Sequence, residues 1–346
     1  MKKYIIPILA CMALAGCTEN NTVSTGEAAK EYLGLWMDNW NKQNGKDVKP
    51  TDLGLYIIED TPGTGDIRDN DSTWVYALFT IRTLGGTISS TDDEDLAKQL
   101  GTYVEGAWYG PKYAATGEGV NYAGVEALMN GMKLGGTRRA IVPSWLLTTS
   151  RYSTQQSYLD ACTSSTHLDY TVTLVDQTSD VIRHQSARIA DFINAFYPGA
   201  TSEAISEDAT DNGSFWFVST YTPADAAERE ETASMRLNYT GLRLDGQIFD
   251  TTDKKTAIDA GIDTASSSYS PLSVSFTTNW ADMSIGGTTS MIDGFKAGVW
   301  RMKYAGQKAV VAFTSDHGYA TSGKGSYIPA YCPLVFELEL LEAEEK

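Results

Sequence analysis

The stretch Tyr239–Thr252, YTGLRLDGQIFDTT, predicts a tight β-hairpin whose second strand ends in an aromatic residue beside a carboxylate. Its turn is Asp245–Gly246, a pair favoured in hairpins because glycine accepts the positive φ that a tight turn needs. The preceding segment, Met235–Tyr239, alternates apolar and polar residues as a half-buried strand does. Neighbouring strand residues point to opposite faces, so Phe249 and Asp250 can line one pocket only if the strand bulges or ends there.

The hairpin belongs to a unit that occurs twice in the chain. Three features, a glycine, a Met-Lys pair and a second glycine, recur at a separation of 170 positions in GVEALMNGMKLGG (124–136) and GFKAGVWRMKYAG (294–306). A helical, amphipathic stretch and an aromatic strand come before each copy, and a strand-like segment, HLDYTVTLV or PLVFELELL, ends it. Ordered matches along the whole length indicate a duplicated domain.

The length of the chain and the repeat predict how it is divided into domains. A chain of 346 residues at about 150 residues per domain is long enough for two domains. We expect a polar tether at 18–26, a first domain at 27–178 and a second at 179–346. Each copy combines strands with one short central helix after an N-terminal helix, which predicts an α+β fold with an antiparallel sheet over a helix.

The first seventeen residues, MKKYIIPILACMALAGC, resemble the signal peptide of a bacterial lipoprotein. A basic start precedes an apolar stretch too short for a comfortable membrane span, and Leu14–Cys17 resembles a lipobox. The resemblance implies that Cys17 is acylated and anchors the chain in the bacterial cell envelope. Thr18 is no obvious retention residue, which favours the outer membrane; the periplasmic and surface faces both stay open.

Composition and spacing exclude several classes of function. The formal net charge of −17 repels phosphate backbones, so we expect no nucleic-acid partner. The three histidines have no metal-ligand spacing, and no glycine-rich phosphate loop follows a predicted strand. We therefore expect no metal, no cofactor and no Ser-His-Asp triad.

Four segments of the second copy, taken in order, resemble FKBP-type peptidyl-prolyl isomerase domains. They are YTGLRLDGQIFDTT, MIDGFKAGVWRMKYAGQKAVV, SDHGYATSGKGSYIP and PLVFELELL, between about Met235 and Leu341. The resemblance implies two tandem FKBP-like domains, each a curved antiparallel sheet wrapped around a short helix, with a shallow aromatic pocket in the second. The implied catalytic residues are Tyr239, Phe249, Asp250 and Tyr319. The implied substrate-binding residues are Leu272, Ile292, Phe295, Ile328 and Phe336.

The implied reaction needs neither a nucleophile nor a metal. Rotation about an X–Pro amide faces a barrier of about 18–20 kcal/mol because the bond has partial double-bond character. A catalyst must favour the twisted amide over the planar one, and an apolar aromatic cup does so by stripping water from the carbonyl. The resemblance implies that Phe295 forms the floor and that Asp250 orients Tyr239. Proline-containing polypeptides are the expected partners.

The two copies depart from the family pattern to different degrees. In the second, Phe295 stands where the family most often has tryptophan, and Leu272 stands where it usually has an aromatic residue. In the first copy, the corresponding pocket positions carry a different set of residues: Phe79, Ser89, Ser90, Val125 and Thr148. Two serines cannot form a dry aromatic wall, so we expect a degenerate domain without isomerase activity.

The sequence leaves three functions open, of which the third, a glycan-binding surface protein, is supported only by the lipoprotein context. The first is a membrane-tethered prolyl isomerase or folding helper that acts through the second copy, favoured by Phe249, Asp250 and Tyr319. The second is a noncatalytic peptide- or protein-binding structural lipoprotein, favoured by Phe295 and Leu272. Aromatic residues on a sheet that faces a helix also commonly serve the core alone. A homo-oligomer is compatible with either of the first two functions.

Overall fold

The computed structural model describes residues 23–70, 72–205 and 213–343. The signal peptide, Cys17 and the first part of the predicted tether lie outside the described residues. The first helix begins at Thr25, inside the tether predicted to run to residue 26, because the Ser24 side chain accepts a hydrogen bond from the Glu27 N–H and caps the helix.

The elements form two successive sets of similar order, except that the first has an additional helix before its last strand and the second has an additional strand before its central helix. The first set contains α1 (Thr25–Asn44), β1 (Tyr56–Thr61), β2 (Trp74–Thr83), β3 (Ile88–Thr91), α2 (Glu94–Gln99), β4 (Lys112–Ala115), α3 (Ala123–Met129), β5 (Thr137–Val142), α4 (Gln155–Asp160) and β6 (Leu168–Thr178). The second contains α5 (Val181–Phe196), β7 (Phe215–Tyr221), β8 (Ser234–Arg243), β9 (Ile248–Thr251), α6 (Lys254–Asp259), β10 (Leu272–Ser275), β11 (Ser284–Ile285), α7 (Asp293–Arg301), β12 (Lys308–Phe313) and β13 (Leu334–Leu341).

The two antiparallel sheets share one strand order. The first runs β1-β5-β6-β2-β3, with β4 also paired to β2. The second runs β7-β12-β13-β8-β10-β11, with β9 also paired to β8, so it repeats the first and adds β11. This repetition confirms the predicted α+β class and the tandem arrangement. Within the described part of the chain, no helix combines the length and the apolar character needed to cross a membrane.

The repeated glycines of the central helices have a packing role. A Cβ at Gly124 would lie 2.4 Å from Val142 Cγ1, and one at Gly294 would lie 2.3 Å from Phe313 Cγ. Glycine therefore lets α3 rest directly on β5, and α7 on β12. Close helix–strand contact of this kind explains why a glycine occurs at the same place in both copies.

Adding one methyl group at Gly294 tests this contact. We expect Gly294→Ala to lower the free energy of unfolding by about 1–3 kcal/mol, because the added carbon overpacks the Phe313 ring. Gly34 in α1 is the matched control, since a Cβ there meets nothing within 4 Å and Gly34→Ala should stabilise by about 0.5–1 kcal/mol. Urea unfolding measures both. Equal effects of the two substitutions would contradict the packing role.

Candidate active site

A bulge in the hairpin places the aromatic residue and the carboxylate that follow the turn. Leu242 pairs with Ile248 and Gly241 pairs with Asp250, so Phe249 is an extra residue in β9. The irregularity that the sequence requires for a shared pocket is therefore present. It turns the strand locally and lets successive side chains reach the same side.

Gly241 makes room for the bulged residue. A Cβ at this position would lie 2.7 Å from Phe249 Cζ and 2.9 Å from Phe336 Cε1. The Phe249 ring therefore folds across β8 at the one position where that strand has no side chain. The Tyr-Thr-Gly sequence before the hairpin turn is the signal that sequence reasoning could have used to find this contact.

An aromatic cluster forms the base of the site. The Phe336 ring centroid lies 4.8 Å from that of Phe295, 5.6 Å from that of Phe249 and 6.1 Å from that of Tyr239. Tyr239 and Phe295 also meet edge to face at 5.3 Å. Phe295 and Phe336 are each only 4% exposed, so the base is dry and rigid.

The polar part of the site is a tyrosine–aspartate pair. The Tyr239 hydroxyl donates a hydrogen bond of 2.8 Å to Asp250 Oδ2. Burial, followed by the negative charge and hydrogen bond of Asp250, raises the pKa of Tyr239 well above its usual value. The phenol therefore stays protonated and fixed in direction, with a carboxylate that is itself exposed to solvent.

The loop between β12 and β13 supplies the other side of the site. Tyr319 is half-buried against the apolar core, and Ile328 is only 3% exposed. Lys324 Nζ donates to the Tyr319 hydroxyl at 3.3 Å and stands 5.1 Å from the ring centroid. Because that oxygen accepts from Lys324, the Tyr319 hydroxyl hydrogen can point toward a ligand carbonyl.

The structure brings all nine predicted site residues to one region. Eight of them pack in a single apolar cluster: Tyr239, Phe249, Leu272, Ile292, Phe295, Tyr319, Ile328 and Phe336. The ninth, Asp250, joins the cluster through its hydrogen bond to Tyr239. Ile292 is the N-cap residue of α7, so its backbone lies where that helix begins.

The corresponding region of the first copy has the same backbone and different chemistry. Its hairpin carries the same bulge, since Ile81 pairs with Ser90 and Arg82 pairs with Ile88. The bulged residue is Ser89, whose hydroxyl donates to the Ile81 carbonyl at 3.1 Å. A hydroxyl tied to its own strand therefore takes the place of the Phe249 ring.

Sequence reasoning missed two polar side chains that bind the segment between β12 and β13. One is Lys324. The other is Gln185 in α5, which is fully buried: its Nε2 donates to Ser315 Oγ at 3.0 Å and to the Tyr331 carbonyl at 2.9 Å. The available signal was a glutamine one turn before Ile189, on the apolar stripe of an amphipathic helix. Nowhere in the described ranges do three or more His, Cys, Asp or Glu residues come together as metal ligands.

The second half of the chain is similar to proteins of a known family. The family model for FKBP-type peptidyl-prolyl cis-trans isomerases matches residues 274–341. Residues 274–341 of the C-terminal domain are therefore similar to FKBP-type domains. A curated relative, FK506-binding protein 1A of Aspergillus fumigatus, is 42% identical over 60 residues. The match covers 17% of this chain and 53% of that protein, so the chain spans about half the length of this FKBP relative.

Solved FKBP structures are also similar to parts of the chain. A crystal structure of the three FKBP domains of wheat FKBP73 is 14% identical, with a TM-score of 0.29, and the match covers 86% of this chain and 98% of that one. A peptidyl-prolyl cis-trans isomerase from Pseudomonas syringae is 21% identical, with a TM-score of 0.31 and coverage of 48% and 94%. The similarity to FKBP-type proteins rests on the two sequence comparisons.

A double-mutant cycle tests the tyrosine–aspartate pair. We expect Tyr239→Phe and Asp250→Ala each to lower the free energy of unfolding by about 1 kcal/mol, because each removes the same hydrogen bond, which fixes a tyrosine ring packed on Phe295. The double variant should lose little more than either single one. Urea unfolding measures the cycle.

An exposed pair provides the control for that cycle. The Tyr269 hydroxyl donates to Asp263 Oδ1 at the same 2.8 Å distance, but Tyr269 lies outside the apolar cluster in which Tyr239 packs against Phe295. Tyr269→Phe should leave the unfolding curve unchanged, because exposed pairs contribute little. Fully additive losses for Tyr239 and Asp250 would show that the two side chains do not stabilise one another.

Proposed function

We propose that the C-terminal domain is a peptidyl-prolyl cis-trans isomerase that binds proline-containing segments of polypeptides. The observation that carries this proposal is the Tyr239–Asp250 hydrogen bond at the edge of the buried Phe295 and Phe336 rings. A dry aromatic base beside a fixed polar edge suits a prolyl ring flanked by amide carbonyls. The match to the FKBP-type family over residues 274–341 supports the same reaction.

In this proposal the chain lowers the barrier without forming a covalent bond. The pyrrolidine ring rests on Phe295, between Tyr239, Phe249 and Phe336. Removal of water from the carbonyl before proline destabilises the planar, charge-separated amide more than the twisted one. Because the twisted amide has lost conjugation, it needs less solvation, and the aromatic surface favours it.

The remaining site residues would orient the peptide. The Tyr319 hydroxyl donates to one substrate carbonyl, while Lys324 holds its oxygen in place. The backbone N–H of Ile292, at the start of α7, binds a second carbonyl. Asp250 keeps Tyr239 in one rotamer, so the wall does not collapse into the empty site. Ile328 and Leu272 complete the apolar rim.

Two residues favour a second candidate, a noncatalytic peptide-binding module. Phe295 provides an apolar floor without the N–H donor of an indole, and Leu272 leaves one wall without an aromatic ring. Phe295 and Leu272 can still bind an apolar ring, but they lack the indole N–H and the aromatic face that would hold the peptide during rotation. In this case the chain binds proline segments and releases them unchanged.

For the whole chain we propose a lipoprotein that works at the bacterial cell envelope. The lipobox-like Leu14–Cys17 segment supports acylation of Cys17, and the outer membrane is the favoured location. The anchored chain would act as a folding helper for envelope polypeptides. The first domain, with Ser89 and Ser90 at its pocket positions, would have no isomerase activity of its own.

A protease-coupled assay on proline tetrapeptides separates the two candidate functions. Spontaneous isomerisation takes tens of seconds, and the full chain should shorten it in proportion to its concentration. Asp250→Ala and Tyr319→Phe should each reduce kcat/KM by about tenfold, the equivalent of one lost transition-state contact. Ser90→Ala is the control, since Ser90 takes the place of Asp250 in the first copy and should leave the rate unchanged.

The outcome of that assay decides between the candidates. A chain that binds the tetrapeptide but gives only the spontaneous rate would support the noncatalytic module. A rate that is enhanced but insensitive to both Asp250→Ala and Tyr319→Phe would place catalysis elsewhere in the chain.

Fractionation of cells that express the full chain tests the anchor. We expect the parent chain in the membrane fraction and Cys17→Ser in the soluble fraction, because the acyl groups provide the apolar area that binds the bilayer. Cys11→Ser lies in the same leader and is the matched control, which should fractionate like the parent. Soluble parent chain, or membrane-bound Cys17→Ser, would contradict lipidation at Cys17.

A further inference from the structure

A turn of the N-terminal domain reaches across to the C-terminal pocket. We call Glu105–Trp108 the bridging turn and Tyr319–Tyr331, the segment that carries Tyr319 and Ile328, the pocket loop. The bridging turn lies between α2 and β4 of the first domain. It contacts the pocket loop on one side and the segment after α6 on the other.

Backbone hydrogen bonds join the bridging turn to the pocket loop. The Trp108 N–H donates to the Ser326 carbonyl at 2.8 Å. Arg243 Nη1 donates both to the Gly106 carbonyl at 3.0 Å and to the Tyr327 carbonyl at 2.8 Å. One guanidinium at the end of β8 thus connects the two domains and the pocket loop.

The burial of that guanidinium depends on the first domain. Arg243 is 1% exposed and also contacts Gln247 Oε1 at 2.6 Å and Asp245 Oδ2 at 3.3 Å. The Trp108 ring centroid lies 5.0 Å from its guanidinium carbon. A buried charge is stable only when its hydrogen-bonding groups have partners, so Arg243 strongly favours the docked turn.

The bridging turn also approaches the C-terminal domain closely. Gly106 has a φ of +77°, and a Cβ there would lie 3.0 Å from Tyr327 Cε1 and 3.3 Å from Ile262 Cγ2. A Cβ at Gly261 would in turn lie 2.6 Å from Glu105 Cγ. The turn therefore fills the gap between the pocket loop and the segment that follows α6.

The neck of the pocket loop is held at the same interface. The Tyr331 N–H donates to the Ala320 carbonyl at 2.7 Å, and both residues have positive φ, +58° and +45°. This backbone conformation is unfavourable for residues other than glycine, so neighbouring contacts must maintain it. Trp74 and Tyr113 of the first domain pack on the Tyr331 ring, with centroids 4.8 Å and 6.3 Å away. Gln185 binds its carbonyl.

The seam between the domains is closely packed at this point. The crevice bounded by Trp108, Arg188, Arg243 and Tyr331 is narrow and leaves only about 20 Å³ accessible to water. Because closely packed side chains have little space in which to relax, a displacement of the bridging turn is transmitted to the pocket loop.

We propose that the bridging turn is a positioning element of the proline pocket. It fixes the pocket loop, and with it Tyr319 and Ile328, so peptide binding by the C-terminal domain depends on the N-terminal domain. The effect on peptide binding rests on the proposed function, whereas the fixing of the pocket loop rests on the interdomain contacts. It gives the catalytically degenerate first copy a direct part in the site.

Two glycine substitutions in the full chain test the inference. Gly106 and Gly101 are both left-handed, with φ of +77° and +68°, but a Cβ at Gly101 meets nothing within 4 Å. Both alanine variants bear the same backbone strain, and only Gly106→Ala pushes on Tyr327. We expect Gly106→Ala to raise KM for a proline tetrapeptide by about fivefold to tenfold with a smaller change in kcat, and Gly101→Ala to match the parent.

Trp108 variants cover the case in which Gly106→Ala does not fold. Trp108→Ala should reproduce the rise in KM, and Trp108→Phe should restore most of the parent value by keeping an aromatic face near Arg243. Amide hydrogen exchange of residues 319–331 is the readout independent of catalysis. It should quicken in Gly106→Ala and Trp108→Ala and stay at the parent rate in Gly101→Ala and Trp108→Phe.

The readouts separate failure of this inference from failure of the proposed function. If KM and exchange are the same in Gly106→Ala and Gly101→Ala, the positioning role is wrong even in an active enzyme. Faster exchange without a change in KM also overturns it. If the parent chain shows no isomerase activity, the proposed function fails, and tetrapeptide affinity together with exchange decides the inference. With no measurable affinity either, exchange alone decides it.

Discussion

One extra residue in a β-strand determines the candidate site. Because Phe249 has no partner across the β8–β9 ladder, the strand bends and brings the Phe249 ring and the Asp250 carboxylate to the same side. Gly241 on the opposite strand provides space for the Phe249 ring. The hydrogen bond that Tyr239 donates to Asp250 fixes the orientation of the Tyr239 hydroxyl. Without the bulge the Phe249 ring and the Asp250 carboxylate would lie on opposite faces of the sheet.

The two copies separate the fold from the chemistry. Both have a common strand order, a glycine at the same place in the central helix and the same bulge in the hairpin. The first copy places Ser89 in the bulge, where its hydroxyl bonds to the backbone. A bulge is therefore a scaffold feature in this chain, and the residue in it decides whether an aromatic pocket forms. The docking of the first copy on the second then extends the site beyond one domain.

Much of the fold and site could be predicted from the sequence because its signals are local. The Asp-Gly turn, the alternation before it and the bulge required by Phe249 and Asp250 all lie within one hairpin. The interdomain contacts could not be predicted, because the partners of Arg243, Gly106 among them, are far away in the chain and depend on how the domains dock. β11 was missed because it is only two residues long and has no strong pattern, and the start of α1 was missed although the Ser24–Glu27 cap is a local signal.

The most direct test of the central claim is an NMR titration of the full chain with a proline tetrapeptide, with the aromatic rings assigned. The account predicts saturable shifts at Tyr239, Phe249 and Tyr319, and none at Phe79 in the equivalent position of the first copy. Shifts confined to the first domain, or no shifts at any of the three rings at millimolar peptide, would contradict a proline pocket in the C-terminal domain.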